Sequence, residues 1–235
     1  INVECGSTHL GPVRELGARI GADLGVAHDG DADRVMLVDA EGNELDGDVI
    51  EAVCAVDMKE RGLLSGNTAV STVMCNLGFR KAMREHGISV ELTQVGDRHV
   101  LECMREGGYA IGGEQSGHMI FLDYNSTGDG MMTACLFIAA CVRAGKTAAE
   151  AAKVMTRCPQ VLKNVPVANK DALADNTAIA DAVAAAREDM GDDGQVLVRA
   201  SGTEPLIRVM VEAQDIERAQ ETADAIAAVV ERELA

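Results

Sequence analysis

Short apolar runs alternate with longer stretches of helical periodicity over residues 1–157. The runs predict strands at residues 23–28, 35–38, 68–73, 88–94 and 109–112. The stretches between them predict helices at residues 10–20, 48–61, 99–106 and 129–144, and another that ends near Gly87. Residues 5–8 are expected to cap the first helix. Over residues 46–157, strands separated by helices of this length indicate a mostly parallel sheet covered by helices.

The remaining residues have a different pattern. Strands are predicted at residues 161–167, 195–199 and 206–211, together with two Ala-rich helices, which is typical of a small α+β domain. The predicted fold class is therefore α/β, with mixed, helix-covered sheets in the first two blocks and a small α+β C-terminal domain. The expected domains are residues 1–45, 46–157 and 158–235.

Composition excludes several classes of protein. Apolar residues make up 47% of the chain and aromatic residues only 2%, so the cores must be aliphatic. A formal net charge of −17 would repel nucleic acid and anionic lipid. The longest apolar run, at residues 131–142, is too short for a membrane span. We expect neither nucleic acid nor a membrane as a partner.

The cysteine pattern indicates the redox state of the compartment in which the protein is expected to lie. Seven cysteines are scattered without any CxxC pair, which argues against a disulfide framework and a zinc site. Reduced thiols in a cytoplasmic protein are expected, and no signal peptide is visible. The chain begins at Ile1 rather than Met, which suggests a piece of a longer protein.

An acidic loop follows the first predicted strand. Asp29, Asp31 and Asp33 occupy alternate positions, so their side chains are expected to point the same way. Three carboxylates brought together require a cation, and a hard ion such as Mg²⁺ or Ca²⁺ prefers oxygen ligands. We interpret the loop as a metal site, with Arg34 beside it for a phosphate group. The alternative is an acidic surface turn.

Two known acidic motifs fit this loop poorly. A calcium-binding hand needs Gly at its sixth position and Glu at its twelfth, where this chain has Arg34 and Ala40. An aspartyl phosphatase would use Asp29 as the nucleophile, but its motif has Thr or Val where Asp33 stands. The phosphatase remains a rival hypothesis.

A second polar loop, at residues 112–118, ends a predicted strand. Its glycines allow close approach of a ligand to the backbone. Glu114, Ser116 and His118 offer the donors and acceptors that sugar hydroxyls need. Ligands usually bind at this end of strands in open α/β sheets. A Gly-rich connection with incidental polar residues is an equally good interpretation of this loop alone.

A third loop joins two predicted strands of the last block. Its candidate ligands for a phosphate dianion are two arginines, two hydroxyls and exposed amides, supplied by Arg199, Ser201, Gly202, Thr203 and Arg208. Arg208 alternates with apolar neighbours and should lie on the opposite face from them. The alternative is a hairpin with surface ion pairs, which is less compatible with so acidic a chain.

His99 is a weaker candidate. It follows the strand predicted at residues 88–94, in the sequence Gly96-Asp97-Arg98-His99. A histidine there suits acid–base work near neutral pH, although many such residues are polar groups at a helix start.

Together the three loops resemble the α-D-phosphohexomutase superfamily, in which metal, sugar and phosphate loops come in this order. The resemblance covers essentially the whole chain. It implies that Asp29, Asp31 and Asp33 bind Mg²⁺, with Arg34 beside them. It also implies that Glu114 and Ser116 contact the sugar and that the third loop binds phosphate. The sequences of residues 95–98 and 113–118 resemble those of the phosphoglucosamine mutase subgroup.

That resemblance implies phosphoryl transfer from a phosphoserine, which interconverts glucosamine-6-phosphate and glucosamine-1-phosphate through a bisphosphate. The superfamily's serine lies in a Ser-Ala-Ser-His-Asn-Pro-like run, and none of the serines of this chain lies in such a run. His99 also departs from the subgroup, where Tyr is common. We therefore expect the first block to be part of a larger domain and the chain alone to be inactive.

Other outcomes remain open at this point. Phosphomannomutase or phosphoglucomutase activity, and phosphosugar binding without catalysis, are the alternative functions. The incomplete first block should leave an unpaired strand edge, at which a second copy of the chain can associate.

Overall fold

The chain divides into two compact units, Ile1–Thr156 and Arg157–Ala235. The computed structural model describes residues 2–234 of it. The junction lies one residue from the boundary predicted before residue 158. The boundary predicted near residue 45 lies within the first unit, and the division into three domains stays a prediction.

The first unit opens with a small antiparallel sheet. Helix α1 (Gly11–Ile20) precedes strands β1 (Leu24–His28), β2 (Val35–Asp39) and β3 (Glu44–Leu45), which pair in the order β1-β2-β3. The expectation that residues 5–8 cap α1 is wrong. Leu10 occupies the N-cap without a side-chain hydrogen bond. The loop lies instead against the end of β1, where the N–H of Ser7 donates to the carbonyl of His28 at 3.0 Å.

A mixed sheet forms the rest of this unit, with β5-β4-β6-β7 as the order of its strands. Strands β5 and β6 run parallel to β4, whereas β7 runs antiparallel to β6. In chain order its elements are α2 (Gly47–Glu60), β4 (Thr68–Thr72), α3 (Leu77–Glu85), β5 (Ser89–Thr93), α4 (Asp97–Gly107), β6 (Ile111–Gly113), β7 (Met119–Phe121), α5 (Gly130–Ala144) and α6 (Ala148–Ala152). The predicted mostly parallel, helix-covered sheet is confirmed; β3, β7 and α6 are too short for the pattern to show.

One core joins the two sheets of the first unit. Val35 and Leu37 of β2 are completely buried in the same apolar cluster as Ile50 of α2 and Phe137 of α5. Helix α2 is buried over most of its length because it packs against α3, α5 and β6. Shared burial of this kind holds the end of β1 and the start of β2 against the second sheet.

The second unit is a three-stranded antiparallel sheet with two helices. Strands β8 (Gln160–Pro166), β9 (Gly194–Ala200) and β10 (Leu206–Ala213) pair in the order β8-β10-β9, and helices α7 (Thr177–Met190) and α8 (Ile216–Leu234) pack against them. Ile207 and Val209 are completely buried, as the alternation around Arg208 predicted. Across residues 2–234, no helix combines the length and the apolar character that crossing a membrane requires.

Candidate functional site

The three aspartates of the acidic loop converge. Asp29, Asp31 and Asp33 each offer a carboxylate oxygen, and these oxygens lie within 4.8 Å of one another. Ala32, between two of them, adopts a left-handed conformation with φ of 59°. The backbone N–H of Arg34 donates to Asp29 Oδ1 at 3.1 Å, which closes the loop.

Electrostatics in this loop reflect the crowding of like charges. Burial and the neighbouring Asp29 carboxylate raise the pKa of Asp33. Burial is the largest single influence on Asp29 and acts to raise its pKa, but the hydrogen bonds from backbone N–H groups, the contact with Asp33 and the charge of Arg34 together lower that pKa. A cation among the three groups would relieve the repulsion between them.

The donor set fits a hard divalent cation. All three groups are carboxylates, and Asp33 Oδ1 is buried without a hydrogen-bond partner among the described residues. Such an oxygen has lost its hydration and is available to a metal. Arg34 lies at the rim, with its Nε 3.9 Å from Asp33 Oδ1 and its side chain nearly half exposed.

The acidic loop and the 112–118 loop are joined by backbone contacts. Arg34 and His118 form an antiparallel β-bridge, and the N–H of Val35 donates to the carbonyl of Gly117 at 3.1 Å. The ring of His118 is buried, and its Nε2 lies 3.5 Å from Asp33 Oδ2. Two loops that are distant in sequence therefore form one continuous surface of the first unit.

This junction requires glycine at position 117. Its φ is +90°, and a Cβ there would lie 2.1 Å from the carbonyl oxygen of Val35. A side chain is excluded by the backbone conformation and by the contact itself. At Gly128 the contact alone excludes a side chain, because a Cβ would lie 2.3 Å from Nε2 of His118.

The candidate sugar residues occupy a closed turn. The N–H of Glu114 donates to the carbonyl of His118 at 3.0 Å, and the N–H of Gly117 donates back to that of Glu114 at 2.9 Å. Ser116 is exposed at the tip. The carboxylate of Glu114 accepts from the N–H of Gly96 at 3.0 Å, which orients it beside the start of α4.

Two buried acids behind this turn were not identified from the sequence. Oδ2 of Asp48 accepts from the side chain of Gln115 at 2.9 Å and from the N–H of Asn76 at 2.8 Å. Glu51, one helical turn later, is completely buried. Burial, followed by the nearby Asp48 carboxylate, raises the pKa of Glu51 well above its ordinary value. From sequence alone, acidic residues of a helix are assigned to its solvent-exposed face. The burial of Asp48 and Glu51 is therefore visible only in the packing of α2.

His99 lies in the first turn of α4, as the helix predicted at residues 99–106 implied. Its ring is about half exposed, and its Nδ1 is 3.9 Å from Glu102 Oε2. This location agrees with the alternative interpretation, in which His99 is a polar group at a helix start. Its acid–base role stays a prediction.

The third loop brings two arginines together. Arg199 and Arg208 are paired across β9 and β10, and Glu204 Oε2 lies 3.3 Å from Arg208 Nη2. Arg208 Nε is buried without a hydrogen-bond partner in the part of the chain that the structure describes. Ser201 is buried, and its Oγ accepts from the N–H of Glu204 at 3.3 Å.

The tip of this loop is open. Gly202 and Thr203 are exposed, and a Cβ on Gly202 would meet no atom within 4 Å. Lys170, which the sequence interpretation missed, also contacts the loop: its Nζ donates to the carbonyl of Ser201. A basic surface with free donors in a chain of net charge −17 is suited to an anion.

Comparison with known proteins gives two matches to sequence models of one family. Residues 46–158 match the phosphoglucomutase/phosphomannomutase alpha/beta/alpha domain III, and residues 162–229 match the C-terminal domain of the same family. Together the matches cover most of the chain.

Curated relatives include phosphoglucosamine mutases from two bacteria. The protein from Paenarthrobacter aurescens is 51% identical and that from Thermobifida fusca 54% identical, each over 234 residues. These alignments cover 100% of this chain but 52% of each relative. The chain thus spans about half the length of the curated relatives it matches.

Solved structures of lower identity share the fold. An Aspergillus fumigatus N-acetylphosphoglucosamine mutase in complex with GlcNAc-6P and magnesium has a TM-score of 0.76 at 21% identity, covering 99% of this chain and 53% of that one. An N-acetylglucosamine-phosphate mutase in its substrate complex has a TM-score of 0.71 at 21% identity, covering 97% of this chain and 53% of that one.

Proposed function

Because this chain belongs to the phosphoglucomutase/phosphomannomutase family, we propose that it serves the interconversion of glucosamine-6-phosphate and glucosamine-1-phosphate. Relatives named for this activity are about twice as long as the matched region. The proposal therefore concerns what these residues supply to the reaction: a metal site, a sugar site and a phosphate site.

The observation that carries the proposal is the junction of the acidic loop with the 112–118 loop. Three converging carboxylates lie next to a turn rich in sugar-type donors and acceptors, held by the bridge between Arg34 and His118. A phosphosugar needs both kinds of contact at once, because the transferring phosphoryl group is anionic and the ring is rich in hydroxyls.

In the proposed site, Asp29, Asp31 and Asp33 hold Mg²⁺. When bound, the ion supplies positive charge that stabilises a phosphoryl group during transfer. The guanidinium of Arg34 lies beside the acids and binds phosphoryl oxygens. Burial of Asp33 Oδ1 excludes competing water from one ligand position.

The other two loops bind and orient the substrate. Glu114 and Ser116 receive hydroxyl groups of the sugar, and the ring of His118 closes the site beside Asp33. The phosphate that is not reacting binds to the third loop, at Arg199, Ser201, Gly202, Thr203 and Arg208. Hydroxyl-centred contacts suit a reaction in which a bisphosphate intermediate must bind in two orientations.

The phosphoryl donor in this proposal is a phosphoserine outside these residues. Transfer from it to the substrate gives the bisphosphate, and return of the other phosphate to the serine gives the product. The seven free thiols agree with a reducing compartment such as the cytoplasm. The products would feed synthesis of amino-sugar precursors, as in cell-wall formation.

The proposal is tested by calorimetric titration of the chain with glucosamine-6-phosphate in the presence of Mg²⁺. We expect Glu114→Gln to weaken binding about tenfold, since one charged hydrogen bond contributes about 1.4 kcal/mol or more. Glu85→Gln, an exposed site in the same unit, is the matched control and should bind like the parent chain.

Further titrations separate the alternatives. Tighter binding of mannose-6-phosphate or glucose-6-phosphate would favour the other activities of the family. Covalent labelling of Asp29, or a stable complex with beryllofluoride at that residue, would favour the phosphatase. Binding of all three sugars with equal weakness, unaffected by Glu114→Gln, would contradict the proposed sugar site.

A further inference from the structure

Lys170 contacts the third loop through hydrogen bonds from its side chain. It begins a short 3₁₀ turn, Lys170–Leu173, that follows β8. Its half-buried side chain reaches across to the loop, where Nζ lies 2.6 Å from the carbonyl oxygen of Ser201 and 3.2 Å from that of Gly202. One ammonium group thus binds two successive peptide carbonyls.

Those two contacts fix the direction of two peptide groups. In a trans peptide the C=O and N–H bonds point in opposite directions, and the described residues contain no cis peptide. The carbonyls of Ser201 and Gly202 face Lys170, so the N–H groups of Gly202 and Thr203 face away from it. Within residues 2–234, neither N–H has a protein acceptor.

These N–H groups belong to exposed residues, so an anion from solvent can reach them. Gly202 has open space where a side chain would be, and the loop is exposed there. Each of the two peptide dipoles would interact favourably with the ammonium group at its carbonyl end and with an anion at its N–H end. Two successive N–H groups of this kind form an anion-binding concavity.

We propose that Lys170 is a positioning residue for the phosphate site: by holding the carbonyls of Ser201 and Gly202, it presents the N–H groups of Gly202 and Thr203 to a phosphate. The inference rests on the proposed function of this loop and deepens it. Lys170 acts through the backbone, and its charge adds to that of Arg199 and Arg208.

The test uses the whole chain, labelled with ¹⁵N, and titrations with inorganic phosphate and with glucosamine-6-phosphate. In the parent chain we expect the amide signals of Gly202 and Thr203 to move most. Lys170→Met should weaken phosphate binding about tenfold and reduce the movement of both signals. Lys170→Arg, which keeps a cationic donor, should stay within about threefold of the parent chain.

The control is Lys153→Met, which removes an exposed lysine of the first unit and should leave phosphate binding unchanged. Lys170→Gln is a second test variant in case Lys170→Met folds poorly. Equal phosphate affinity of the parent chain and Lys170→Met would overturn the proposal. Signal shifts at buried Val209 and Val211 in both Lys170→Met and Lys170→Gln would also overturn the proposal. They would show that Lys170 stabilises the whole sheet rather than the loop alone.

Failure of the proposed function gives a different result. If no signal between residues 199 and 208 responds to either ligand in the parent chain, the loop is not a phosphate site and the role of Lys170 falls with it. If those signals respond equally in the parent chain and Lys170→Met, only the role of Lys170 is wrong.

Discussion

Arg199 and Arg208 lie directly opposite each other on the antiparallel strands β9 and β10. Like charges in this position destabilise a sheet, and Glu204 provides an ion pair for Arg208. Arg208 Nε is nevertheless buried without a partner in the described part of the chain. A doubly charged anion would relieve the repulsion and satisfy the buried donor together.

Substitution of Arg208 by Ala should therefore weaken phosphosugar binding substantially. A charged hydrogen bond is worth about 2 kcal/mol, which corresponds to roughly a thirtyfold loss of affinity. The measurement is calorimetric titration with glucosamine-6-phosphate. Arg232→Ala, on the exposed face of α8, is the control. Unchanged affinity of Arg208→Ala would remove the third loop from the substrate site.

Removing the opposed charge should also have an effect without ligand. We expect Arg199→Gln to unfold at the same denaturant concentration as the parent chain, or at a higher one, in a buffer free of phosphate and sulfate. In saturating phosphate the parent chain should unfold at the higher denaturant concentration, because only the parent chain gains full stabilisation from the anion. Lower stability of Arg199→Gln in both buffers would contradict this explanation.

Metal binding should stabilise the first unit. A cation at ten times its dissociation constant raises the free energy of unfolding by about 1.4 kcal/mol, so Mg²⁺ should raise the melting temperature of the parent chain. Asp31→Asn should abolish most of that rise, since it removes one of three converging carboxylates. Asp181→Asn, an exposed residue of the second unit, should keep it. Chelation with EDTA should reverse the effect.

Glu51 should make stability dependent on pH. Its pKa in the folded protein is well above the ordinary value of 4.5, so the folded state keeps a proton that the unfolded chain loses above that value. Stability from this group is fully present below about pH 4.5 and falls as the pH rises toward the folded pKa. Denaturant unfolding measured across this range should show the slope.

The matching variant is Glu51→Gln, which is neutral at every pH. It should flatten this part of the pH dependence and equal or exceed the parent chain in stability at neutral pH. Glu85→Gln, at an exposed position, should retain the slope. A slope that persists in Glu51→Gln would assign the effect to another group.

Gly117→Ala should separate the two loops of the first unit. The new methyl group would overlap the carbonyl of Val35 in a backbone conformation that disfavours L-residues. The cost is on the order of 3 kcal/mol, measured by denaturant unfolding. Gly11→Ala, where a Cβ meets no atom within 4 Å, is the control and should change stability little.

Much of this architecture could be predicted from periodicity. The helices and longer strands follow directly from apolar spacing, and the three aspartates converge as their alternate positions indicated. The bridge between Arg34 and His118 could not be predicted, because it depends on tertiary packing between segments 84 residues apart. Asp48 and Lys170 were missed for a related reason: a buried acid and a loop-binding lysine have the same local pattern as surface charges.

The bridge between Arg34 and His118 also bears on how hexose specificity can diverge. Backbone hydrogen bonds at Val35 and Gly117 set the spacing between the carboxylates and the sugar turn in this chain. Side chains of the turn can change without altering it. Variants selected for another hexose phosphate should therefore carry substitutions at Glu114 or Ser116, while the glycine and the bridge are retained.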